Sequence, residues 1–186
     1  MKKMIFAAAV LVLLLASAVH AQTVGFARSW YVEPSIGICW VDQASGHTQP
    51  ADTGYYLGVV GGWRFHRHWA VELHTGRIHN EVPATETREG KSVTQVPLVA
   101  NLAFHFPNPS SFEPYISGGF GLVFATNKGE SGGDGLLEFA VGVRHKLNEQ
   151  LELGLSYRYF MMVVNSAFAE EAVGDDTLNL ALKIGL

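Results

Sequence analysis

A serine followed by two glutamates is the first feature of this sequence that could do covalent chemistry. Ser166 lies in the segment NSAFAEEAVGDD, four and five positions before Glu170 and Glu171. A serine nucleophile needs a histidine to take its proton and a carboxylate to orient that histidine. The glutamates offer the carboxylate, but no histidine accompanies the serine. We therefore predict that Ser166 is an ordinary loop serine and that the chain has no catalytic residue.

Two clusters of metal-binding residue types are also present. His66 and His68 bracket Arg67, but no third ligand is visible nearby, so we predict solvated turn residues. The acidic end of the last loop could bind Ca²⁺ or Mg²⁺ but lacks the spacing of a calcium loop, and its residues are Glu170, Glu171, Asp175 and Asp176. We predict no metal site and no cofactor.

The N-terminus has the pattern of an export signal. Residues 1–21, MKKMIFAAAVLVLLLASAVHA, combine two lysines, an apolar run and small residues before Ala21. This is typical of a secretory signal peptide cleaved after Ala21, with cleavage after Ala18 as an alternative. An uncleaved membrane anchor is the other interpretation, although the apolar run is short for a spanning helix. An exported chain without a later helix is periplasmic, secreted or an outer-membrane barrel.

Composition excludes further classes of protein. The net charge is −4 and no basic patch is visible, so nucleic-acid binding is not expected. Cys39 is the only cysteine, which rules out an intrachain disulfide and a cysteine zinc site. With 48% hydrophobic and only 16% charged residues, the chain is too apolar to be disordered.

Alternation of apolar with small or polar residues recurs along the chain and indicates strands with one apolar face. The last segment, LNLALKIGL, shows it clearly. Eight segments share the pattern, and they are residues 30–40, 55–65, 69–75, 96–106, 115–124, 137–147, 151–161 and 178–186. No segment has a helical period, so the sequence predicts an all-β fold of eight strands.

The connections between these strands alternate in length. Long polar segments follow the odd-numbered strands, and they are DQASGHTQPAD, HNEVPATETREGKS, NKGESGGDG and NSAFAEEAVGD. Short turns follow strands two, four and six, and they are HRH, PNPSSFE and NEQ. An even number of strands of about ten residues, with long loops at one end, is typical of an outer-membrane barrel.

The composition of the two faces favours an apolar outside over a soluble, lipocalin-type barrel with an apolar inside. The non-apolar face is rich in glycine, as the narrow interior of an eight-stranded barrel requires. It also carries charges of both signs, which can neutralise one another across the lumen. We predict that this lumen charge network is made of Glu33, Arg64, Glu72, Glu138, Arg144, Lys146, Glu152, Arg158 and Lys183. Together with water, it would plug the lumen.

Aromatic residues on the apolar face indicate two membrane girdles. Trp30 and Trp40 share a face, ten residues apart. At ~3.3 Å per residue and a ~40° tilt they would lie about 25 Å apart, the height of a lipid-facing band. The predicted girdle residues are Trp30, Trp40, Tyr55, Trp63, Phe65, Trp69, Phe104, Phe106, Phe124 and Tyr159.

The segment VPLVANLAFHFPNPSSFEPYISGGFGLVF, residues 96–124, resembles the small outer-membrane β-barrel superfamily, which includes OmpA-type membrane domains, OmpW-like proteins and opacity-type proteins. The resemblance implies an eight-stranded antiparallel transmembrane barrel spanning residues 30–186, after a signal peptide and a short periplasmic segment, residues 22–29. It also implies a Gram-negative outer membrane, with termini in the periplasm and long loops outside. Many members end in phenylalanine, whereas this chain ends in Leu186, so we expect a weaker assembly signal.

Strand seven and its loop are similar to the corresponding region of the lipid A deacylases of the same superfamily. That family carries a His-x-Ser-Asn motif near the outer end of this strand. Here Met161 and Met162 stand where the histidine is expected, and Asn165 and Ser166 occur in the reverse order. The resemblance therefore implies a deacylase without its base, which disfavours this activity.

The function predicted from these observations is a structural or interaction role in the outer membrane. A narrow channel for small solutes is the first alternative and a deacylase-like enzyme the second. The expected partners are outer-membrane lipid and lipopolysaccharide, the barrel assembly machinery and an unknown extracellular partner of the loops.

Overall fold

The computed structural model describes residues 29–42, 53–82, 91–127, 130–163 and 174–186. The predicted signal peptide, residues 1–21, lies outside the described residues, as do Asn165, Ser166, Glu170 and Glu171. Within the described ranges, no helix is long and apolar enough to cross a bilayer.

Eight antiparallel strands form a closed barrel in which each strand pairs with its sequence neighbours. The strands are β1 (Ser29–Asp42), β2 (Thr53–His66), β3 (Trp69–Val82), β4 (Lys91–His105), β5 (Phe112–Asn127), β6 (Glu130–Lys146), β7 (Leu151–Val163) and β8 (Gly174–Gly185). The predicted all-β, eight-stranded antiparallel barrel is confirmed.

The barrel is closed by the pairing of β1 with β8. The register runs from Tyr31 opposite Gly185 to Asp42 opposite Gly174. At the chain end, the Leu186 amide also donates to the Trp30 carbonyl oxygen at 2.9 Å. Because β8 pairs with β7 on its other side, neither terminal strand leaves an open sheet edge.

The strands are longer than the apolar alternation predicted, most of all around the third long connection. The segment NKGESGGDG was expected to be a loop, but β5 and β6 pair as far as Asn127 opposite Glu130. Only residues 128–129 separate the two strands. The ladder continues because backbone pairing between adjacent antiparallel strands does not require an apolar face.

The two faces of the strands differ in the direction that the alternation indicated. Outward-pointing Ile36, Leu73 and Phe120 are 57–72% exposed. By contrast, the inward-pointing Glu33 and Arg144 are almost completely buried. Apolar groups therefore cover the outside of the barrel while charged groups fill part of the inside, the reverse of a lipocalin-type barrel.

Glycines on the inner face make room for large neighbours. A Cβ on Gly142 would lie 2.6 Å from Tyr115 Cε1 and 2.8 Å from the Leu155 carbonyl oxygen. Gly61 points outward instead, and a Cβ there would have no atom within 4 Å. The inner glycine is therefore a packing requirement, whereas the outer one is not.

Replacement of Gly142 by valine should lower the stability of the barrel by about 1–3 kcal/mol because the lumen would be overpacked. The matched change Gly61→Val should leave stability unchanged or raise it, since valine favours strands. The measurement is the urea midpoint for loss of the fast-migrating folded band on unboiled denaturing gels. Equal midpoints for the Gly142 variant and the wild type would contradict this packing role.

Candidate functional site in the barrel lumen

The lumen has two chemically different halves. We call one end of the barrel the turn end, because the connections 66–69, 105–112 and 146–151 lie there. The opposite end is the loop end. Most charged side chains lie in the turn-end half and the middle of the lumen. The loop-end half holds a cluster of apolar side chains together with the buried polar residues Asn80, Gln95 and Asp175.

Arg144 of β6 is the centre of the charged layer. Its Nε donates to Glu33 Oε2 at 2.9 Å, and its Nη2 lies 3.4 Å from Glu72 Oε1. The guanidinium carbon is 4.0 Å from the centroid of the Tyr115 ring, a cation–π contact. The Tyr31 hydroxyl donates to the same Glu72 oxygen. One arginine thus connects side chains from β1, β3 and β5 across the lumen.

Arg158 of β7 is the second buried cation. Its Nη1 lies 2.5 Å from Glu138 Oε1, and its Nη2 is 3.9 Å from Glu33 Oε1. The other Glu138 oxygen is 2.6 Å from His74 Nδ1, while His74 Nε2 is hydrogen-bonded to the Tyr56 hydroxyl. Because a carboxylate oxygen only accepts hydrogen bonds, His74 Nδ1 is the donor in its hydrogen bond with Glu138. The chain of contacts runs from β2 through β3 and β6 to β7.

A third cluster lies close to the turn end. Arg64 donates to both oxygens of Glu113, at 2.9 and 3.2 Å, in a bidentate pair. His105 Nδ1 lies 3.0 Å from Glu113 Oε1. Bidentate arginine–carboxylate pairs are among the stronger hydrogen-bonded contacts in proteins. This cluster therefore ties the ends of β2, β4 and β5 together.

The two lysines of the predicted charge network differ in their surroundings. Lys183 Nζ lies 3.0 Å from Glu152 Oε2, and both side chains are largely buried. Lys146 is at the rim: its side chain is 44% exposed and its Nζ is 3.9 Å from Glu113 Oε2. Lys146 thus extends into solvent, whereas Lys183 is buried against Glu152.

An apolar layer lies in the loop-end half of the lumen, beside Asp175 of β8, which accepts a hydrogen bond from Asn80 at 3.3 Å. Each of the strands β1 to β7 contributes at least one side chain, and none is more than 8% exposed. The members are Cys39, Tyr56, Ile78, Val99, Val123, Leu136, Phe160 and Met162. The Phe160 ring joins this layer to the charged one, because its centroid lies 5.8 Å from that of His74.

The structure brings some of the predicted lumen charges together and separates others. Of the predicted charges, Glu33, Glu72, Glu138, Arg144 and Arg158 lie together in one buried network. Arg64 instead pairs with a glutamate outside the predicted set. Lys183 and Glu152 form a separate pair, and Lys146 lies at the rim.

Several side chains of this network were not among the predicted site residues. They are Tyr31, Tyr56, His74, His105, Glu113 and Tyr115. Each occupies an inward position in its strand. Counting in steps of two from Glu33, Arg64 and Glu72 reaches the members on β1, β2 and β3, whereas β4 and β5 carry no predicted charge from which to count. Phe160 and Met162, two and four positions beyond Arg158 on the same inner face, are found in the same way.

Aromatic residues of the outer surface occur near both ends of the barrel. The predicted residues near the turn end are Trp30, Trp63, Phe65, Trp69, Phe104 and Phe106, and those near the loop end are Trp40, Tyr55, Phe124 and Tyr159. The Trp30 and Trp63 rings stack with centroids 5.7 Å apart, and Trp69 meets Phe104 edge-on at 4.8 Å. At the other end, the Trp40 and Tyr157 centroids are 6.4 Å apart.

Within the described strands and turns, no group of three or more His, Cys, Asp or Glu residues could hold a metal ion. His66 and His68 are near one another in the turn, with ring centroids 5.7 Å apart. Met162, which stands near the position expected for a catalytic histidine, is part of the apolar layer.

This fold and its inverted distribution of polarity define a class of membrane protein, the small outer-membrane barrel. Residues 9–184 match the family described as outer membrane protein beta-barrel domain. Since this match covers most of the chain, the protein belongs to that family, which implies an outer-membrane location. No curated protein sequence matches the chain.

Several solved structures share the fold at low sequence identity. Neisserial surface protein A is similar with a TM-score of 0.66 and 16% identity, over 83% of this chain and 96% of that one. Ail, the attachment invasion locus protein of Yersinia pestis, gives 0.51 and 13%, over 86% and 100%. The outer membrane enzyme PagL gives 0.50 and 14%, over 84% and 99%. At these identities the similarity shows the fold alone.

Replacement of Arg144 by methionine should destabilise the barrel by about 3–5 kcal/mol, because Glu33 and Glu72 would stay buried with too little positive charge. The matched change Lys146→Met, two residues away on the same strand, removes an exposed cation and should cost less than about 1 kcal/mol. The measurement is the free energy of unfolding in urea for barrels folded into lipid vesicles. Similar losses for the two variants would contradict the central role of Arg144.

Proposed function

We propose that the protein is an integral outer-membrane barrel with a closed lumen, acting as a structural and interaction protein of the cell envelope without catalysis. The observation that carries the proposal is the apolar layer, to which seven of the eight strands contribute buried side chains. Apolar constrictions exclude water and hence ions. The charged network beneath this layer is paired rather than arranged as a ring of one sign.

The proposed orientation places the turn end in the periplasm and the loop end outside the cell. Short periplasmic turns and longer external loops are the usual arrangement in this class of barrel. The signal peptide, residues 1–21, would be removed on export, and the assembly machinery would insert the barrel. The aromatic residues near both ends would then form the two girdles at the membrane interfaces.

Because the proposed lumen is closed, partners would bind the outer surface and the loops of the barrel. Lipopolysaccharide would surround the loop-end half of the barrel, and an extracellular partner would bind the loops. The similar fold of Ail, an attachment invasion locus protein by name, is consistent with such a role.

The wild-type barrel should pass no steady ionic current in a planar bilayer. Truncating two side chains of one layer should leave the other layer in place. The variant with Phe160→Ala and Met162→Ala should therefore not conduct, and neither should the variant with Arg144→Ala and Glu33→Ala. Combining all four changes should produce discrete current steps. Only protein that gives the fast-migrating folded band is reconstituted, so that misfolded protein is excluded from the current measurement.

A steady current through the wild-type barrel would refute the closed lumen and establish the alternative, a narrow channel for small solutes. Catalysis is tested separately by mass spectrometry of lipid A from cells with and without the protein. We expect identical acyl chain numbers, because the expected histidine base is replaced by methionine at positions 161 and 162. Loss of an acyl chain only in cells that contain the protein would refute the non-enzymatic proposal.

A further inference from the structure

Arg77 is the one Lys or Arg that points outward from a strand among the strand residues whose side chains the structure describes. Arg77 of β3 points outward and is exposed, and it makes no ion pair with any residue that the structure describes. Of the strand side chains that the structure describes, Asp176 is the one Asp or Glu that points outward. It is buried, however, and accepts a hydrogen bond from the Tyr157 hydroxyl. Arg77 thus presents a positive charge directly to the lipid.

Several residues near Arg77 are polar, although its paired residue on β2, Leu57, is an exposed apolar side chain. Thr75 donates to the Pro97 carbonyl oxygen at 2.9 Å, and His79 Nδ1 lies 3.0 Å from Thr94 Oγ1. The Tyr55 ring packs against His79 with centroids 5.0 Å apart. We call Thr75, Arg77, His79 and Thr94 the Arg77 patch. On β1, by contrast, the outward positions Ile36, Ile38 and Trp40 remain apolar toward the loop end.

The height of the patch along the barrel identifies the layer of membrane that it faces. Arg77 lies eight residues beyond Trp69 on the same face of β3. At ~3.3 Å per residue and a ~40° tilt, this separation is about 20 Å along the membrane normal. The lipid-facing band is about 25 Å tall, so Arg77 lies about 5 Å below its loop-end border. An arginine side chain can extend over that distance to the head groups.

We propose that the Arg77 patch binds the phosphate group of a phosphorylated lipid in the outer leaflet, with Arg77 as the cation that pairs with it. A guanidinium binds phosphate in bidentate fashion, and such a pair removes the cost of an unpaired cation near hydrocarbon. The threonine hydroxyls and the histidine add polar groups around the phosphate. This inference rests on the proposed function, which places the loop end in the outer leaflet.

The test is the binding of lipid A to the folded barrel in neutral detergent, counted by native mass spectrometry. The protein is titrated with phosphorylated lipid A and, separately, with the same lipid A after removal of its phosphates. Arg77→Gln should weaken binding of the phosphorylated form about fivefold and leave binding of the other form unchanged. Arg77→Lys should retain part of the preference. Arg67→Gln, in a turn at the opposite end of the barrel, is the matched control and should bind like the wild type.

Unchanged binding of phosphorylated lipid A by a folded Arg77→Gln barrel would overturn the inference. An equal loss in the Arg67→Gln control would also overturn it, because the effect would then reflect net charge. Displacement of lipid A by millimolar inorganic phosphate would identify a site for free phosphate instead. Failure of the wild type to give the folded band and insert into vesicles would refute the proposed function itself, so the two failures are distinguishable.

Discussion

The pairing of β1 with β8 is the constraint on which the rest of the structure depends. Backbone polar groups in hydrocarbon must be hydrogen-bonded within the protein, and a sheet achieves this only when it closes. Closure then fixes the direction in which side chains point, because alternate residues of each strand must face lipid and the others must fill a narrow interior. With eight strands that interior is just wide enough for side chains to fill it. The contrast between the outer and inner faces of every strand follows from this one requirement.

The contents of the interior follow from closure in turn. Buried charges are costly unless they are paired, and the lumen pairs its arginines with glutamates from other strands. Arg144 and Glu33 lie 111 residues apart in sequence, yet they meet across the lumen at 2.9 Å. Such contacts connect strands that share no backbone hydrogen bonds. The charged layer thereby ties the barrel together across its diameter, in addition to the ladder around its wall.

Much of the fold, and less of the site, could be predicted from the sequence. Period-two alternation identifies eight strands and assigns Glu33, Glu72 and Arg144 to the inner face, because successive side chains in a strand point to opposite faces. It does not give the partners: Arg64 meets Glu113 rather than a predicted residue. Contacts across the lumen depend on the stagger and tilt of all the strands together. The alternation does not reveal the paired ends of β5 and β6, because these glycine-rich strand ends carry no alternating apolar residues.

The two layers of the lumen have different physical consequences. Ion pairs are individually polar and attract water, so a charged layer alone closes a pore only while its pairs remain intact. The apolar layer excludes ions by withholding solvation, and it does so without any particular pairing. Because the Phe160 ring packs against both Tyr56 and His74, the two layers share side chains. In the proposed closed lumen, a disturbance of the charged layer would therefore have to reach the apolar layer before ions could pass.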